Sequence, residues 1–246
     1  MKVTEETKDM IREGKSLNFI SRETGLSKST LYYHYKQIKG RKIKLVNTNF
    51  RTKNQLGEFL GIFSGDGSFS LNKNYHYTIR ISIGYYEKEY AYYLESFFER
   101  IFNKKPRLYY LKYKGNFSVI ILVYDSKVIY NLITDYLYWE SKKTYSIKLR
   151  NLNLKEKEFN KGFLKGLIDT DGNYYGPKRR LSFSTTSYEL AKQAEEIFIH
   201  NLSVKPNFNH YKKEKRAVLY TLTIHGKNAI TIIKRIKLAN LHKNLQ

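Results

Sequence analysis

A short segment occurs twice in this chain, and each copy ends in an aspartate followed by a glycine. The first copy runs from Gly57 to Gly67 and reads GEFLGIFSGDG, and the second runs from Gly162 to Gly172 and reads GFLKGLIDTDG. Four positions match at one offset, since 162 − 57, 166 − 61, 171 − 66 and 172 − 67 all equal 105. A duplicated segment predicts a duplicated structural unit. A duplicated carboxylate also suggests two symmetric places for one kind of chemistry.

Each copy is predicted to form a helix that packs against another helix. Its apolar residues recur at helical spacing, and its glycines lie four residues apart on one face. Glycine costs a helix about 1 kcal/mol relative to alanine, so two glycines per helix indicate backbones that approach closely. Charged and polar residues interrupt both segments well short of the length that spans a membrane. The apolar residues are Leu56, Phe59, Leu60 and Phe63, then Phe159, Phe163, Leu164, Leu167 and Ile168; the glycine pairs are Gly57/Gly61 and Gly162/Gly166.

The two aspartates, Asp66 and Asp171, are predicted to lie at helix C-termini, because Gly67 and Gly172 end the helices as C-terminal glycines normally do. A carboxylate there faces the negative end of the helix macrodipole, which is unfavourable unless a cation binds. Two such helices side by side bring both carboxylates to one end of the pair. Mg²⁺ fits this arrangement, since it takes one or two carboxylates, keeps waters and accepts phosphate oxygens. The alternative is a simple Asp-Gly turn, which two copies in one basic protein disfavour.

The composition indicates a polyanionic partner. The chain has 246 residues and a formal net charge of +23, which favours nucleic acid over a membrane surface. It has no cysteine, which excludes disulfides, cysteine-ligated zinc and a catalytic thiol. We find no signal peptide and no spanning hydrophobic run, so we expect an intracellular protein, cytoplasmic or nucleoid-associated. The six histidines show no metal-ligand spacing; they are His34, His76, His200, His210, His225 and His242.

The second copy, LKGLIDTDG from Leu164 to Gly172, resembles the signature of the LAGLIDADG homing endonucleases and differs from it at Lys165 and Thr170. The first copy is a looser match, with Ser64 where the family often has an acid. The resemblance extends over roughly residues 54–246. It implies that Asp66 and Asp171 are the catalytic acids and hold a divalent cation, Mg²⁺ or a similar ion. Ser64 and Asp169 match a second acidic position, which is mainly structural in the family.

The residues after each motif predict the same order of elements twice. The fold class is therefore α+β, with two pseudo-symmetric repeats over residues 54–138 and 159–246, joined by a Lys- and Ser-rich linker at 139–158. The resemblance supplies the family arrangement, αββαββα, in which antiparallel sheets form a saddle over a duplex. In the first repeat we predict a strand at 78–83, a helix at 87–102, a hairpin of 106–114 and 117–124 turning at Gly115-Asn116, and a helix at 127–138. In the second we predict a strand at 180–186, helices at 188–201 and 227–238, and paired strands at 206–213 and 216–225.

The alternating polar face of each sheet supplies candidates for DNA contact, because a β-ribbon can enter the major groove. These candidates are Arg80, Ser82, Arg107, Lys112, Arg180, Ser182, Ser184 and Lys212. The alternative is a plain solvated sheet. Lys127 and Lys227 begin the closing helix of each repeat. The resemblance implies that a basic residue near there supports the active site, where it could stabilise charge on the phosphate; the alternative is an exposed lysine in a turn.

Residues 1–40 resemble a helix-turn-helix unit. Ser16 and Ser27 are predicted caps, Gly25 supplies the turn, and the core is formed by Ile20, Leu26 and Leu31. The third helix would enter the major groove N-terminus first and present Lys28, Ser29, Thr30, Tyr33 and His34 to DNA. The alternative is an ordinary three-helix cap on the larger domain. Residues 41–53 form a basic linker that either tracks the phosphate backbone or serves as a solvated tether.

Together these features predict a monomeric, site-specific double-strand DNA endonuclease that recognises a long duplex site. One alternative is a DNA-binding regulator that keeps the scaffold without cleaving. Another is an intron RNA maturase, with intron RNA as its partner. Intact Asp66 and Asp171 favour the endonuclease. If the protein had lost cleavage, mutation should first have removed these carboxylates, because they are unfavourable without a metal.

Overall fold

The computed structural model describes residues 3–40, 46–71, 77–212 and 217–240. It divides into two compact units, Met1–Leu45 and Val46–Gln246, which we describe separately. Some predictions fall outside the described residues: linker residues 41–45, the hairpin ends at Lys213 and Arg216, and His76 and His242. Among the described ranges, no helix has both the length and the apolar content needed to cross a membrane.

The first unit contains three helices with the predicted caps. They are α1 (Glu5–Arg12), α2 (Leu17–Thr24) and α3 (Lys28–Lys39). The hydroxyls of Ser16 and Ser27 accept hydrogen bonds from backbone N–H groups in the first turns of α2 and α3, which satisfies otherwise unpaired donors. Gly25 ends α2 with φ 68°, a left-handed conformation that glycine adopts without strain. The core of this unit is Ile11, Ile20, Leu26 and Leu31.

The second unit repeats one order of elements. The first repeat comprises α4 (Lys53–Asp66), β1 (Gly67–Leu71), β2 (Tyr77–Gly84), α5 (Lys88–Phe102), β3 (Arg107–Tyr113), β4 (Asn116–Asp125) and α6 (Lys127–Tyr136). Between the repeats lie β5 (Leu137–Tyr138), α7 (Lys143–Ser146) and β6 (Lys148–Leu149). The second repeat comprises α8 (Lys157–Asp171), β7 (Gly172–Tyr175), β8 (Arg180–Thr185), α9 (Tyr188–Leu202), β9 (Asn207–Tyr211), β10 (Leu219–His225) and α10 (Gly226–Ile236). This is the predicted α+β duplication.

The two sheets share one topology. Their strand orders are β1-β2-β4-β3 and β7-β8-β10-β9, and every pair within them is antiparallel. The alternation predicted for β2 is present, since Ile79, Ile81 and Ile83 are buried while Ser82 is exposed. One face of each sheet therefore packs on the helices, and the other remains open.

The central helices α4 and α8 are buried on all sides, which differs from the one-sided apolar pattern expected. Residues 57–64 of α4 and 162–170 of α8 are all buried. Each helix packs against the other and also against the sheets, so polar residues such as Glu58 and Asp169 are enclosed as well. The two helices thus form the centre of the second unit.

Three local predictions were wrong. The β3–β4 hairpin turns at Lys114-Gly115, not at Gly115-Asn116, because both turn residues take positive φ (49° and 83°) and Asn116 already begins β4. Gly67 and Gly172 do follow the last helical residues, but their backbones are extended and not left-handed. Glycine is needed there for space, since a Cβ on Gly67 would overlap Phe63. The closing helix α6 stops at Tyr136, since the chain then enters β5, which pairs with β6 in the expected linker.

Candidate functional site

The helices α4 and α8 meet backbone to backbone at their glycines. A Cβ on Gly61 would lie 2.2 Å from the carbonyl oxygen of Phe163, and one on Gly166 would lie 2.3 Å from the carbonyl oxygen of Glu58. The two contacts are related by the repeat offset, because 163 − 58 and 166 − 61 are both 105. The outer glycines, Gly57 and Gly162, obey the same relation against Phe159 and Asn54. The interface therefore has local pseudo-twofold symmetry about the helix crossing.

This symmetry brings the ends of both helices together. A Cβ on Gly65 would lie 2.2 Å from Thr170 Oγ1 and 3.0 Å from Asp171 Oδ2, so the Asp171 carboxylate lies beside the residue that precedes Asp66. Both aspartates line one cavity of about 720 Å³. Asp66 is half-buried and Asp171 is exposed. The cavity lining also includes Ser82 of β2 and Ser184 of β8, so the open face of each sheet borders the carboxylates.

A lysine from the inter-repeat segment reaches the same cavity. Lys143 Nζ donates hydrogen bonds to the carbonyl oxygens of Phe63 (2.9 Å), Ser64 (2.7 Å) and Gly65 (3.0 Å). These carbonyls belong to the last turn of α4, where a cation opposes the negative end of the helix dipole. Burial lowers the pKa of Lys143 to about 8, while Asp171 and Asp66 act in the opposite direction. Lys143 was not predicted as a site residue, because its segment has only a Lys- and Ser-rich composition.

The end of α8 is held by a neutral group instead. Asn240 Nδ2 donates to the carbonyl oxygen of Asp169 at 2.9 Å, and position 169 corresponds to Ser64 in the first repeat (169 − 64 = 105). The Asp169 carboxylate accepts the backbone N–H groups of Ala239 and Asn240. The two halves of the site are thus alike in backbone geometry and unequal in charge.

The departure from the family signature at Lys165 is explained by a buried polar cluster behind the helix crossing. Lys165 Nζ donates to Glu58 Oε1, lies 3.2 Å from the Tyr93 hydroxyl and 3.3 Å from Asp169 Oδ2. Burial acts to lower the pKa of Lys165, but Asp169, Glu58 and Tyr93 outweigh it, so its pKa is raised. Burial, reinforced by the charge of Glu58, raises the pKa of Tyr93 to about 12. Breaking such a buried pair leaves an uncompensated charge, so Lys165 ties the two repeats together.

The predicted basic residues Lys127 and Lys227 are not among those that line the cavity of the two aspartates. Lys127 begins α6 as expected, whereas α10 begins one residue before Lys227, at Gly226. Both lysines are exposed, and neither lines the 720 Å³ cavity. The lysine that does line it is Lys143. Lys127 Nζ instead lies over the ring of Tyr77, 6.0 Å from the centroid.

The residues predicted to contact DNA from the sheets lie on or next to the open faces, and their neighbours differ from one residue to the next. Arg80 donates to Ser70 Oγ at 2.8 Å, and Arg107 pairs with Asp125. Lys112 lies over the ring of Phe117, 4.8 Å from the centroid. Ser182 donates to the Asn173 carbonyl at 3.4 Å. Arg180 and Ser184 are half-buried, and Lys212 is exposed just beyond β9.

In the first unit the predicted contact residues lie at the start of α3. Lys28, Ser29 and Tyr33 are exposed, while Thr30 and His34 are half-buried. Ser29 and Thr30 hydroxyls lie 2.8 and 2.9 Å from the hydroxyl of Ser27, which ties them to the helix cap. An exposed helix N-terminus with a basic residue suits contact with a phosphate backbone.

The cavity suits a divalent cation that also takes ligands from outside the protein. Two carboxylates on adjacent helix ends provide hard oxygen donors. Among residues 3–40, 46–71, 77–212 and 217–240, no group of three or more His, Cys, Asp or Glu side chains is arranged to enclose a metal. This donor set fits Mg²⁺, which binds one or two carboxylates and fills its shell with water and phosphate oxygens. It does not fit structural zinc, which needs four protein ligands.

Comparison with known proteins agrees with this geometry. Residues 158–237 match the family model described as a LAGLIDADG-like domain. The matched segment extends from the start of α8 to one residue beyond the end of α10. The match therefore covers the second repeat. The first repeat has the same order of elements and the same sheet topology. Comparison with curated proteins found no match.

Solved structures share the fold over three quarters or more of the chain. The homing endonuclease I-WcaI bound to its DNA recognition sequence has a TM-score of 0.55 and 15% identity, over 92% of this chain and 97% of that one. I-DmoI in complex with DNA and Ca has a TM-score of 0.51 and 19% identity, over 75% and 89%. The N-terminal LAGLIDADG domain of DUF199/WhiA has a TM-score of 0.50 and 14% identity, over 78% and 85%. At these identities the likeness shows the fold.

Proposed function

We propose that this protein is a site-specific, double-strand DNA endonuclease that uses a divalent cation, Mg²⁺ or a similar ion. The observation that carries the proposal is the meeting of Asp66 and Asp171 in one cavity between two open sheet faces. The net charge of +23 favours a polyanionic substrate. The LAGLIDADG-like domain and the similar fold of two DNA-bound homing endonucleases support the same activity. Both aspartates come from one chain, so a monomer suffices.

In the proposed mechanism the protein positions the cation and the DNA, and its two carboxylates supply the negative charge that holds the cation. Asp66 and Asp171 would hold the cation at the point where the helix ends meet, and the open sheets would place the duplex above them. The bound cation would neutralise the phosphate and activate the attacking water. The three ammonium protons of Lys143 are all taken by α4 carbonyls, so Lys143 acts by fixing the helix end beside Asp66. The active-site roles predicted for Lys127 and Lys227 stay predictions.

The decisive experiment is cleavage of a randomised duplex library with Mg²⁺, followed by sequencing of the ends. We expect cleavage at a defined long site. Asp66→Asn and Asp171→Asn should each lower cleavage at least about a hundredfold, because even an outer partner of a metal ligand affects activity by about 10–100-fold. Both variants should still bind the duplex. Asp135→Asn is the matched control, since Asp135 is an exposed aspartate on α6, outside the cavity, and its loss should leave cleavage unchanged.

A non-cleaving DNA-binding regulator is the second candidate. The helix-turn-helix-like first unit favours it, and so does the fold shared with the DUF199/WhiA domain. Specific binding with no cleavage at any site would support the regulator and refute the endonuclease. Retention on structured intron RNA, with none on duplex DNA, would refute both and support a maturase.

A further inference from the structure

The two sheets present different chemistry at equivalent positions. The equivalence follows from strand pairing: Gly67 opposes Ile81 in the first sheet, and Gly172 opposes Phe183 in the second. Ser82 and Ser184, one residue further along, are therefore equivalent. Both line the cavity that holds the aspartates, so residues directly opposite them share the same open face.

One cross-strand row of each sheet shows the difference. In the first sheet Ser82 opposes Ile121, which opposes Tyr109. In the second sheet Ser184 opposes Thr221, which opposes Asn209. The next row continues the contrast, with Arg80, Val123 and Arg107 in the first sheet and Ser182, Thr223 and Asn207 in the second. In the central strand the first sheet thus has the aliphatic Ile121 and Val123 where the second has hydroxyls. At the outer strand the first sheet has Tyr109 and Arg107 where the second has asparagines.

The apolar groups of the first sheet line a hollow of about 400 Å³. Its wall includes Leu111, Ile121 and Val123, of which Val123 is only 6% exposed. The charged residues that line it are Arg80, Arg107 and Asp125. Tyr109 and Leu111 are 48% and 49% exposed, although their chemistry favours burial. An exposed apolar patch of this kind marks a binding surface. Because Arg107 pairs with Asp125, the two arginines and one carboxylate leave one positive charge at the hollow, which favours an occupant that has apolar groups beside anionic ones.

We propose that the first sheet contacts thymine methyl groups in one half of the DNA site, while the second sheet reads the other half by hydrogen bonds. This rests on the proposed function. In the major groove, thymine presents a C5-methyl group that accepts apolar contact, whereas asparagine bonds adenine in a bidentate manner. Arg80, which donates to the neutral Ser70 hydroxyl, would suit a DNA phosphate next to the hollow. The row containing Asn209, Thr221 and Ser184 supplies donors and acceptors at the equivalent place; Ser184 and Thr221 hydroxyls lie 2.9 Å apart.

The test measures binding without a divalent cation, so it does not depend on cleavage. The full chain selects duplexes from a randomised library, and each thymine of the selected site is then replaced by deoxyuridine, which lacks only the methyl group. We expect each contacted thymine in one half-site to lose about fourfold in affinity, the value for one buried methyl-sized group. Replacement in the other half should leave the affinity unchanged.

Variants that exchange aliphatic and hydroxyl side chains between the sheets assign the effect to one sheet. Ile121→Thr with Val123→Thr gives the first sheet the side chains of the second and should abolish the deoxyuridine effect. The reciprocal control, Thr221→Val with Thr223→Val, should leave that effect intact and weaken binding to the other half-site. If a variant fails to fold, the deoxyuridine replacements measured with the wild-type protein still test whether only one half-site depends on thymine methyl groups.

The outcomes separate the two proposals. Selection of no duplex overturns the proposed function and this inference with it. Specific binding with no deoxyuridine effect in either half, or with equal effects in both, overturns this inference and leaves the proposed function standing. An effect in one half that survives Ile121→Thr with Val123→Thr also overturns it, because the methyl groups would then touch another surface.

Discussion

Gly61→Ala is expected to push α4 and α8 apart and so to destabilise the second unit. The added Cβ would lie 2.2 Å from the carbonyl oxygen of Phe163, and real Cβ atoms essentially never approach another atom below 3.0 Å. The carbonyl must therefore move by at least 0.8 Å (3.0 − 2.2). It belongs to the backbone of a buried helix, so no side-chain rotation can relieve the overlap.

The magnitude follows from two opposing contributions. Overpacking a well-packed core costs about 1–3 kcal/mol, and a rigid backbone places this case at the upper end. Alanine in place of glycine stabilises the helix by about 1 kcal/mol. The net loss is about 2 kcal/mol, which lowers the melting temperature of a unit of this size by about 4–8 °C.

Trp139 provides the assay, because it is the one tryptophan of the chain. Its ring lies 6.1 Å from the Phe63 ring near the end of α4 and 5.5 Å from the Phe69 ring. Urea unfolding followed by its fluorescence therefore reports the second unit. Gly176→Ala is the matched control, since a Cβ there would meet one atom within 4 Å, at 3.9 Å, and Gly176 does not require a left-handed backbone. A Gly61→Ala protein as stable as wild type, or about 1 kcal/mol more stable, would refute direct backbone contact.

Three further predictions concern the polar groups and the first unit. Lys143→Met should reduce cleavage about tenfold or more, with DNA affinity nearly unchanged, because Lys143 fixes the helix end beside Asp66; a parallel loss of affinity would contradict this role. The folded pKa of Tyr93 is about 12 against 10 unfolded, so its stabilising contribution is complete below pH 10 and is lost as the pH rises to 12. Because Tyr93 is partly exposed, we expect the free energy of unfolding of the wild type to fall by roughly 1–2 kcal/mol more than that of Tyr93→Phe between pH 10 and 12. Equal decreases for both proteins in urea unfolding at these pH values would refute this prediction. Deleting residues 1–40 should weaken DNA binding and flatten its salt dependence, and an unchanged slope in a binding titration would exclude contact by this unit.

The parts of the fold that the sequence predicted are those with local, repeated signals. The offset of 105 residues, the glycine spacing and the caps at Ser16 and Ser27 each act within a few residues, and the structure shows the same elements. Strand alternation in β2 identified its buried face for the same reason. The position of the turn between β3 and β4 was predicted wrongly, because Lys114 takes a positive φ that residues with a side chain rarely adopt.

The missed features depend on contacts between distant residues. Lys143 reaches carbonyls about 80 residues earlier, and nothing in its own segment distinguishes it from exposed lysines. Lys165 was visible as a departure from the signature, but its partner Glu58 lies on the other helix of the crossing. The contrast between Ile121 and Thr221 requires the strand register of both sheets, which a single sequence does not supply.

The central claim is that Asp66 and Asp171 hold one shared cation site above the helix crossing. Anomalous diffraction from crystals of the protein with its selected duplex and Mn²⁺ measures this directly. We expect a manganese peak in the cavity, about 2.1 Å from a carboxylate oxygen of each aspartate and next to a backbone phosphate. Manganese bound elsewhere, with both carboxylates turned away from the DNA, would contradict it.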